Sequence, residues 1–391
     1  MISVDEALAL VLALAAKPEP ENVSLDQALG RILLEPVKAR LTQPPFDASA
    51  MDGYAIRDID IERPLTVIGE ASAGRAWSGT SSEGTAIRIF TGAPVPEGYD
   101  RVIMQENVTR EGDVIRITDS KGGSNIRPKG NDFASGDQIA AGRRISAADI
   151  GLFAAMNVPQ VTVARRPTIA VIAGGDELVR PGEVPNASQI ISSNDLAIAA
   201  LARDAGAIPH ILPIARDTED SLRESFRQAA GSDLIVTIGG ASVGDHDLVG
   251  KVAADLGMER SFYRLAMRPG KPLMAGKMAG SAMLGLPGNP VSAIVCGILF
   301  MQPLIYAMQG LSVTNGYRKA RLAADLPAEG DRQHYLRAVL AEGKDLPRIT
   351  AFDDQDSARL SLLSKADALL VRPAHDPERK AGEIVSYIPL A

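Results

Sequence analysis

The sequence predicts a multidomain α/β plus β protein. Its parts are a central doubly wound, mostly parallel sheet, an inserted β-rich domain, an N-terminal helical region and a small C-terminal β domain. Three observations carry this. Residues 166–310 alternate apolar strand patterns with helical ones, the mark of a sheet covered on both faces. Residues 42–130 and 311–391 instead show short alternating strands broken by Gly, Pro, Asp and Glu. Finally, apolar runs between Asp233 and Phe300 stop at Gly-rich or Gly/Pro corners, as strands do before the loops that build a ligand crevice.

Taken in order, Ser3 and Glu6 have capping-box spacing ahead of an apolar face at Ala7, Leu8, Val11, Leu12 and Ala15, which predicts a helix. Ser24 and Gln27 repeat the device before ALGRILLEPV, predicting a second. Residues 42–130 hold the strands VIGEA, AIRIFTGA, RVIMQENV and DVIRIT. Helical pattern returns in SAADIGLFAAMN with Ser146 as N-cap, so segments 1–41 and 131–165 form one discontinuous helical and linker region. In the α/β region, TIAVIAGGDEL, HILPIARD and LIVTIGG read as strands. SSNDLAIAALARDAG, capped by Ser192 or Ser193, and TEDSLRESFRQAAG read as helices. RKARLAA, HYLRAVLA, RITAF, ALLVRP and EIVSYIPL supply the last domain's strands.

At 391 residues the chain should form about two to four compact units. A net charge of −7 argues against a general nucleic-acid or acidic-membrane binder. The one cysteine, Cys296, sits in the apolar run AIVCGILF and should be buried and inert. The apolar run ALALVLALAA is short and preceded by acids, and nothing else reads as a membrane span. A cytoplasmic protein is expected.

Chemistry concentrates in the loops. Gly239, Gly240, Ser242, Asp245 and Asp247 follow one strand; Arg268 and Lys271 flank a Pro-Gly corner; Pro287, Asn289, Pro290 and Ser292 open a helix. Glycines allow close backbone approach, and two cations with two carboxylates suit a phosphorylated ligand held partly through Mg²⁺. Glu177, after the first sheet strand, stands at the ligand edge. Asp217 reads equally well as a helix N-cap, given Asp220 three residues on. Asp52 before Gly53 reads as an Asx turn, Thr91 as a loop cap or a phosphate-binding hydroxyl, and Asp132 in IRPKGND as a loop cap or hinge residue.

PPFDASAMDGYA, IFTGAPVPEG, IRPKGND, GGDELVRPGE, GGASVGDHD, MRPGKP and LPGNPVSA occur in that order over the whole chain. In this series the sequence resembles the molybdopterin molybdenumtransferase family, whose relatives include the E domain of gephyrin. The resemblance implies a homodimer of four-domain subunits that insert molybdenum from molybdate into adenylylated molybdopterin and release AMP with Mg²⁺. The cleft is expected between the α/β domain, here 166–310, and the partner's β-rich domain. It implies catalytic roles for Asp52, Glu177, Asp217 and Asp247, with Asp52 and Asp247 as metal ligands. Substrate contacts are implied for Thr91, Asp132, Gly239, Gly240, Ser242, Arg264, Arg268, Lys271, Pro287, Asn289, Pro290, Ser292, Arg337 and Ser357. Arg264 and Arg268 stand where the family often has lysine, so a forked guanidinium replaces a point charge. Asp356 and Ala358 replace glycines usual around Ser357. A molybdopterin adenylyltransferase and recipient molybdoenzymes are the implied partners. Adenylylation itself and a gephyrin-like scaffold are the competing functions; the loop reads GGASVG rather than the GGTG type of the adenylyltransferases.

Overall fold

The computed structural model describes residues 1–240, 248–313 and 316–390. The chain divides into two compact units, one of residues 1–21 with 164–391 and the other of residues 22–163.

The larger unit is built on a six-stranded sheet. Its spatial order is Ile208–Ile211, Thr168–Ala173, Leu234–Ile238, Ser281–Leu286, Pro272–Met278 and Glu259–Arg264. The first four strands pair in parallel and the last two join antiparallel. Both faces are buried because each strand alternates between two cores. Ile169 and Val171 face the core shared with helices Val4–Leu12 and Asn194–Asp204. Ala170 and Ile172 face the core of Glu219–Ala229 and Leu248–Asp255.

A continuous helix, Pro290–Met308, crosses the first core. An 18-residue window of this 19-residue helix has a mean hydropathy of 1.9, so among the described residues one segment is long and apolar enough to span a membrane after all, although 67% of that window is buried within the fold. Pro303 interrupts the ordinary ladder, because it lacks an N–H and its ring crowds the preceding turn. The chain answers with a π-helical turn at Gly297–Met301, closed by the Gln302 N–H on the Gly297 carbonyl. Cys296 is fully buried there, and burial pushes its thiol up, out of the reactive range.

The C-terminal strands Gln333–Ala341, Arg348–Ala351, Arg318–Leu322, Ile384–Pro389 and Ala368–Arg372 close into a ring, since the last pairs back with the first. Met267–Arg268, from the α/β region, adds a strand beside Gln333 and His334. Leu370 points into the barrel core while Leu369 and Val371 join the α/β core, so this domain is seated on the sheet by apolar contact.

At the edge of the sheet, Asp233 accepts from both guanidinium nitrogens of Arg165 (2.7 and 3.0 Å) and from the N–H and hydroxyl of Thr168 (2.6 and 2.9 Å). Burial works to raise its pKa, but these donors outweigh that and hold it below the ordinary 3.8. A depressed folded-state pKa contributes stability that is complete above the unfolded value and lost as pH falls through the folded one. Asp233→Asn should therefore cost about 2 kcal/mol at neutral pH and flatten the acid limb of the stability curve below about pH 4. Urea unfolding at a series of pH values checks both.

The smaller unit differs from expectation at its start. ALGRILLEPV forms no helix: a 3₁₀ turn at Leu25–Gln27 is followed by short strands Ile32–Leu33 and Val37–Lys38. Gly30 at φ +73° breaks the helical path, and Ile32 and Leu33 are both buried in a four-stranded sheet. The helix Ala147–Ala155 is present, with a full capping box between Ser146 and Asp149. A six-stranded sheet spans residues 53–117, its order Arg101–Met104, Gly53–Ile56, Thr85–Ile89, Leu65–Ala71, Val114–Ile117 and Val108–Glu111. Tyr54 and Ile56 face one core, Ala55 the other, as a pleat buried on both sides requires.

Candidate active site

In the larger unit the carboxyl ends of the parallel strands surround a cleft of about 1190 Å³. Gly174, Gly175 and Glu177 follow the first strand, Asp217 the next, Gly239 and Gly240 the third, and Pro287, Asn289, Pro290 and Ser292 the fourth; all line it. This is where open α/β sheets bind ligands. Eight of the residues singled out from the sequence are thus brought together. Ser242 and Asp247, with Asp245, lie outside the described residues.

Two acidic loops face each other across the rim. The Asp176 N–H donates to Asp217 Oδ2 (3.4 Å) and the Asp217 N–H to Asp176 Oδ1 (3.3 Å), a reciprocal bracket. Arg216 Nη1 lies 3.2–3.5 Å from the carbonyls of Gly175, Asp176 and Leu178. Asp217 is not the helix cap that its spacing allowed: Thr218 takes that role, accepting from the Ser221 N–H. The Glu177 carboxylate folds over Gly175 so closely that a Cβ on Gly175 would lie 2.4 Å from Oε2.

On the opposite rim, Asn289 is the N-cap residue by position but its side chain caps nothing. Its Nδ2 donates instead to Ser357 Oγ (3.0 Å), and the Val291 N–H is satisfied by the Ser357 carbonyl (3.1 Å). Ala358 lines the cleft beside them. Asp356 is exposed, and its Oδ1 accepts the Ala358 N–H (2.9 Å). Arg337 is 1% exposed and donates into this same loop. Arg264, Arg268 and Lys271 are exposed and do not line the cleft, although Pro272 beside Lys271 does. None of these three has an ion-pair partner among the described residues.

The smaller unit carries Asp52 and Thr91. Asp52 makes no Asx turn; its Oδ1 accepts both the N–H and the hydroxyl of Thr91, each at 2.7 Å. Those two donors, with Arg88 as a weaker influence, hold the exposed carboxyl below its ordinary 3.8, so it is ionised at neutral pH. Asp132 is placed by its N–H on the Gln43 carbonyl (3.0 Å).

Several residues were missed from the sequence. Arg88 sits 4.6 Å from the Phe90 ring and 5.2 Å from that of Tyr54, donating to the Gly53 carbonyl (2.8 Å). Its signal was available, an arginine inside the apolar strand AIRIF two residues before a phenylalanine. Asn194, whose Nδ2 holds the Gly288 carbonyl at 2.7 Å, and Ser192 and Ser193 also line the cleft. Their capping-type positions concealed them.

Comparison with known proteins follows this geometry. Residues 2–157 match the model for the MoeA N-terminal region (domain I and II), 170–307 the probable molybdopterin binding domain, and 319–390 the MoeA C-terminal region (domain IV). A molybdopterin molybdenumtransferase of Nostoc sp. is 37% identical over 97% of this chain and 91% of its own length. Molybdopterin molybdenumtransferase 2 of Mycobacterium tuberculosis is 34% identical over 98% of both chains. The crystal structure of a molybdopterin biosynthesis MoeA protein from Pyrococcus horikoshii OT3 superposes with a TM-score of 0.84 at 26% identity, over 99% of both chains. The chain belongs to the molybdopterin molybdenumtransferase (MoeA) family.

Proposed function

We propose that this protein inserts molybdenum from molybdate into adenylylated molybdopterin, releasing AMP and giving the molybdenum cofactor. The observation that carries the reading is the cleft at the carboxyl ends of the parallel strands, with Glu177 and Asp217 on one rim and Asn289, Ser292 and the Ser357 loop on the other. A volume of about 1190 Å³ accommodates a nucleotide-linked pterin.

The chain's own groups have distinct tasks in this scheme. The glycine-lined floor at Gly174, Gly239 and Gly240 allows a phosphoanhydride to approach the backbone. Glu177, held over Gly175, accepts a proton from the water that attacks that bond. Asn289 and Ser292 orient the substrate through neutral donors, and the exposed Arg264, Arg268 and Lys271 draw the molybdate dianion toward the site.

Among the described residues no three His, Cys, Asp or Glu side chains gather closely enough to cage a metal. That fits Mg²⁺ in the form it takes with nucleotides, held by one or two carboxylates and completed by phosphate oxygens. Glu177 and Asp217 would hold it here, and it would neutralise charge on the phosphoanhydride. A Mg²⁺-dependent homodimer acting in the cytoplasm, supplied by an adenylyltransferase and delivering to molybdoenzymes, belongs to the same reading. One buried cysteine suits a reducing compartment.

Purified protein given adenylylated molybdopterin, molybdate and Mg²⁺ should release AMP and yield a product that activates a molybdenum-free molybdoenzyme. With molybdopterin and Mg-ATP it should make no adenylate; robust adenylate formation without insertion would reverse the assignment.

A further inference from the structure

We propose that Arg216 is a positioning residue for the reaction: it gathers the carbonyls of the turn that carries Glu177 and so holds the Glu177 carboxylate in place over Gly175. The proposal deepens the insertion reading and rests on the role that reading gives to Glu177.

The chain reaches this arrangement by continuing the sheet past the ends of its strands. Ile208–Ile211 pairs in parallel with Thr168–Ala173 as far as Ile211 and Val171. Beyond that pair the backbone bonds go on. The Leu212 N–H donates to the Val171 carbonyl (2.9 Å), the Ala215 N–H to that of Ala173 (2.8 Å), and the Gly175 N–H to that of Ala215 (3.0 Å). Residues 212–215 therefore run beside 171–175, and Arg216 emerges next to the turn that follows Thr168–Ala173. Its own N–H is fixed on Ser221 Oγ (2.9 Å), in the first turn of helix Glu219–Ala229.

From there a single nitrogen gathers the turn. Nη1 lies 3.5 Å from the Gly175 carbonyl oxygen, 3.2 Å from that of Asp176 and 3.4 Å from that of Leu178. Carbonyl dipoles that converge on one point repel each other unless a charged donor sits among them. The other bonds of the turn are long ones. The Leu178 N–H is 3.4 Å from the Gly175 carbonyl, and the bracket between Asp176 and Asp217 spans 3.3 and 3.4 Å. Asp176, Glu177 and Asp217 also bring three carboxylates to this rim, and the guanidinium offsets their repulsion.

Glu177 rides on this turn, between the carbonyls that Arg216 holds. Gly175, Glu177 and Leu178 line the cleft, whereas Arg216 is exposed and does not. Its influence on the reacting groups therefore passes through the backbone. The Glu177 carbonyl is tied separately, by the Ile190 N–H at 2.8 Å, which leaves the neighbouring carbonyls to the guanidinium.

Steady-state kinetics and amide hydrogen exchange on the full chain test this. Arg216→Met keeps the apolar stem and removes the donors. Its kcat for AMP release should fall about tenfold or more, with the KM for adenylylated molybdopterin changed by less than about threefold. Exchange at the Gly175 and Ile190 N–H groups should accelerate by at least about tenfold, with the strands of the 22–163 unit unchanged. Arg216→Lys keeps one cationic nitrogen, with three N–H donors for the three carbonyls, and should recover part of both losses. Arg216→Gln replaces the methionine variant if that chain does not fold, with the same losses expected. Unchanged kcat in Arg216→Met overturns the proposal, as does slower turnover with exchange at the wild-type rate, or a lysine variant no better than the methionine one. A tenfold rise in KM with kcat intact also overturns it, since Arg216 would then touch the substrate itself. A wild-type chain that releases no AMP refutes the insertion reading instead, and the exchange comparison still decides whether Arg216 holds the turn.

Discussion

Glu177→Gln should lower kcat for AMP release by about 10²-fold or more, because it removes a charge and a proton acceptor while preserving shape. Gly175→Ala should do comparable damage without touching the carboxylate. A methyl at position 175 would lie 2.4 Å from Oε2 and 2.6 Å from Oε1 of Glu177, and Gly175 has a φ of +149° that side chains rarely adopt. The carboxylate would be driven off its position over the floor of the cleft, and misplacement of about 1 Å can cost about 10²-fold. Steady-state assays with adenylylated molybdopterin as the varied substrate separate this from lost binding: kcat should fall in both variants, with KM changed little. Normal turnover in Gly175→Ala would mean that the position of the carboxylate, and with it the role given to Glu177, is irrelevant to the reaction.

The parallel sheet was legible because two periodicities compete plainly in the sequence. Strands such as TIAVIA and LIVTI are apolar but for one threonine each, which signals burial on both faces, and the helices between them carry capping residues. The barrel strands were equally plain. Where the reading failed, a single backbone event outweighed a good pattern. ALGRILLEPV has helical spacing, but Gly30 takes a positive φ and Ile32 and Leu33, which point to opposite faces of a strand, are both buried because the sheet is covered on both faces. The length of helix Pro290–Met308 was hidden by Pro303, which in isolation signals an end; a π-helical turn absorbs it instead.

For the site, the loops at strand ends could be found because glycine and proline mark them. The connections between loops could not. Nothing in the spacing joins Asp52 to Thr91, 39 positions on, or Gln355 to Arg337, or Asn289 to Ser357, since these bonds exist only once sheets have brought distant segments together. The same limit explains Asp217, whose local spacing with Asp220 suggested a cap, while its bracket with Asp176 spans 41 positions. Backbone partners of this kind decide which carboxylate points into a cleft and which is spent on structure.

Gly53→Ala should destabilise the smaller unit by about 3 kcal/mol or more and with it abolish the Asp52–Thr91 arrangement. Gly53 lies on a strand paired on both sides, opposite Met104 on one neighbour and Ile89 on the other. A Cβ there would come within 1.9 Å of the Ile103 carbonyl oxygen and 2.8 Å of its carbon. Both are backbone atoms, so no rotamer change relieves the clash and the strands must separate. The Gln105 N–H on the Asp52 carbonyl and Arg88 on the Gly53 carbonyl would be strained by the same movement. The chain's single tryptophan, Trp77, packs edge-on against Tyr99 in this unit, so its fluorescence reports urea unfolding here. Gly151→Ala is the matched control, since that glycine sits in the helix Ala147–Ala155 with open space around its Cβ position and should gain up to about 1 kcal/mol. The expected result is a lowered midpoint for the first variant and an unchanged or raised one for the second. Equal midpoints would show that the close approach of the two strands at Gly53 does not exist in solution.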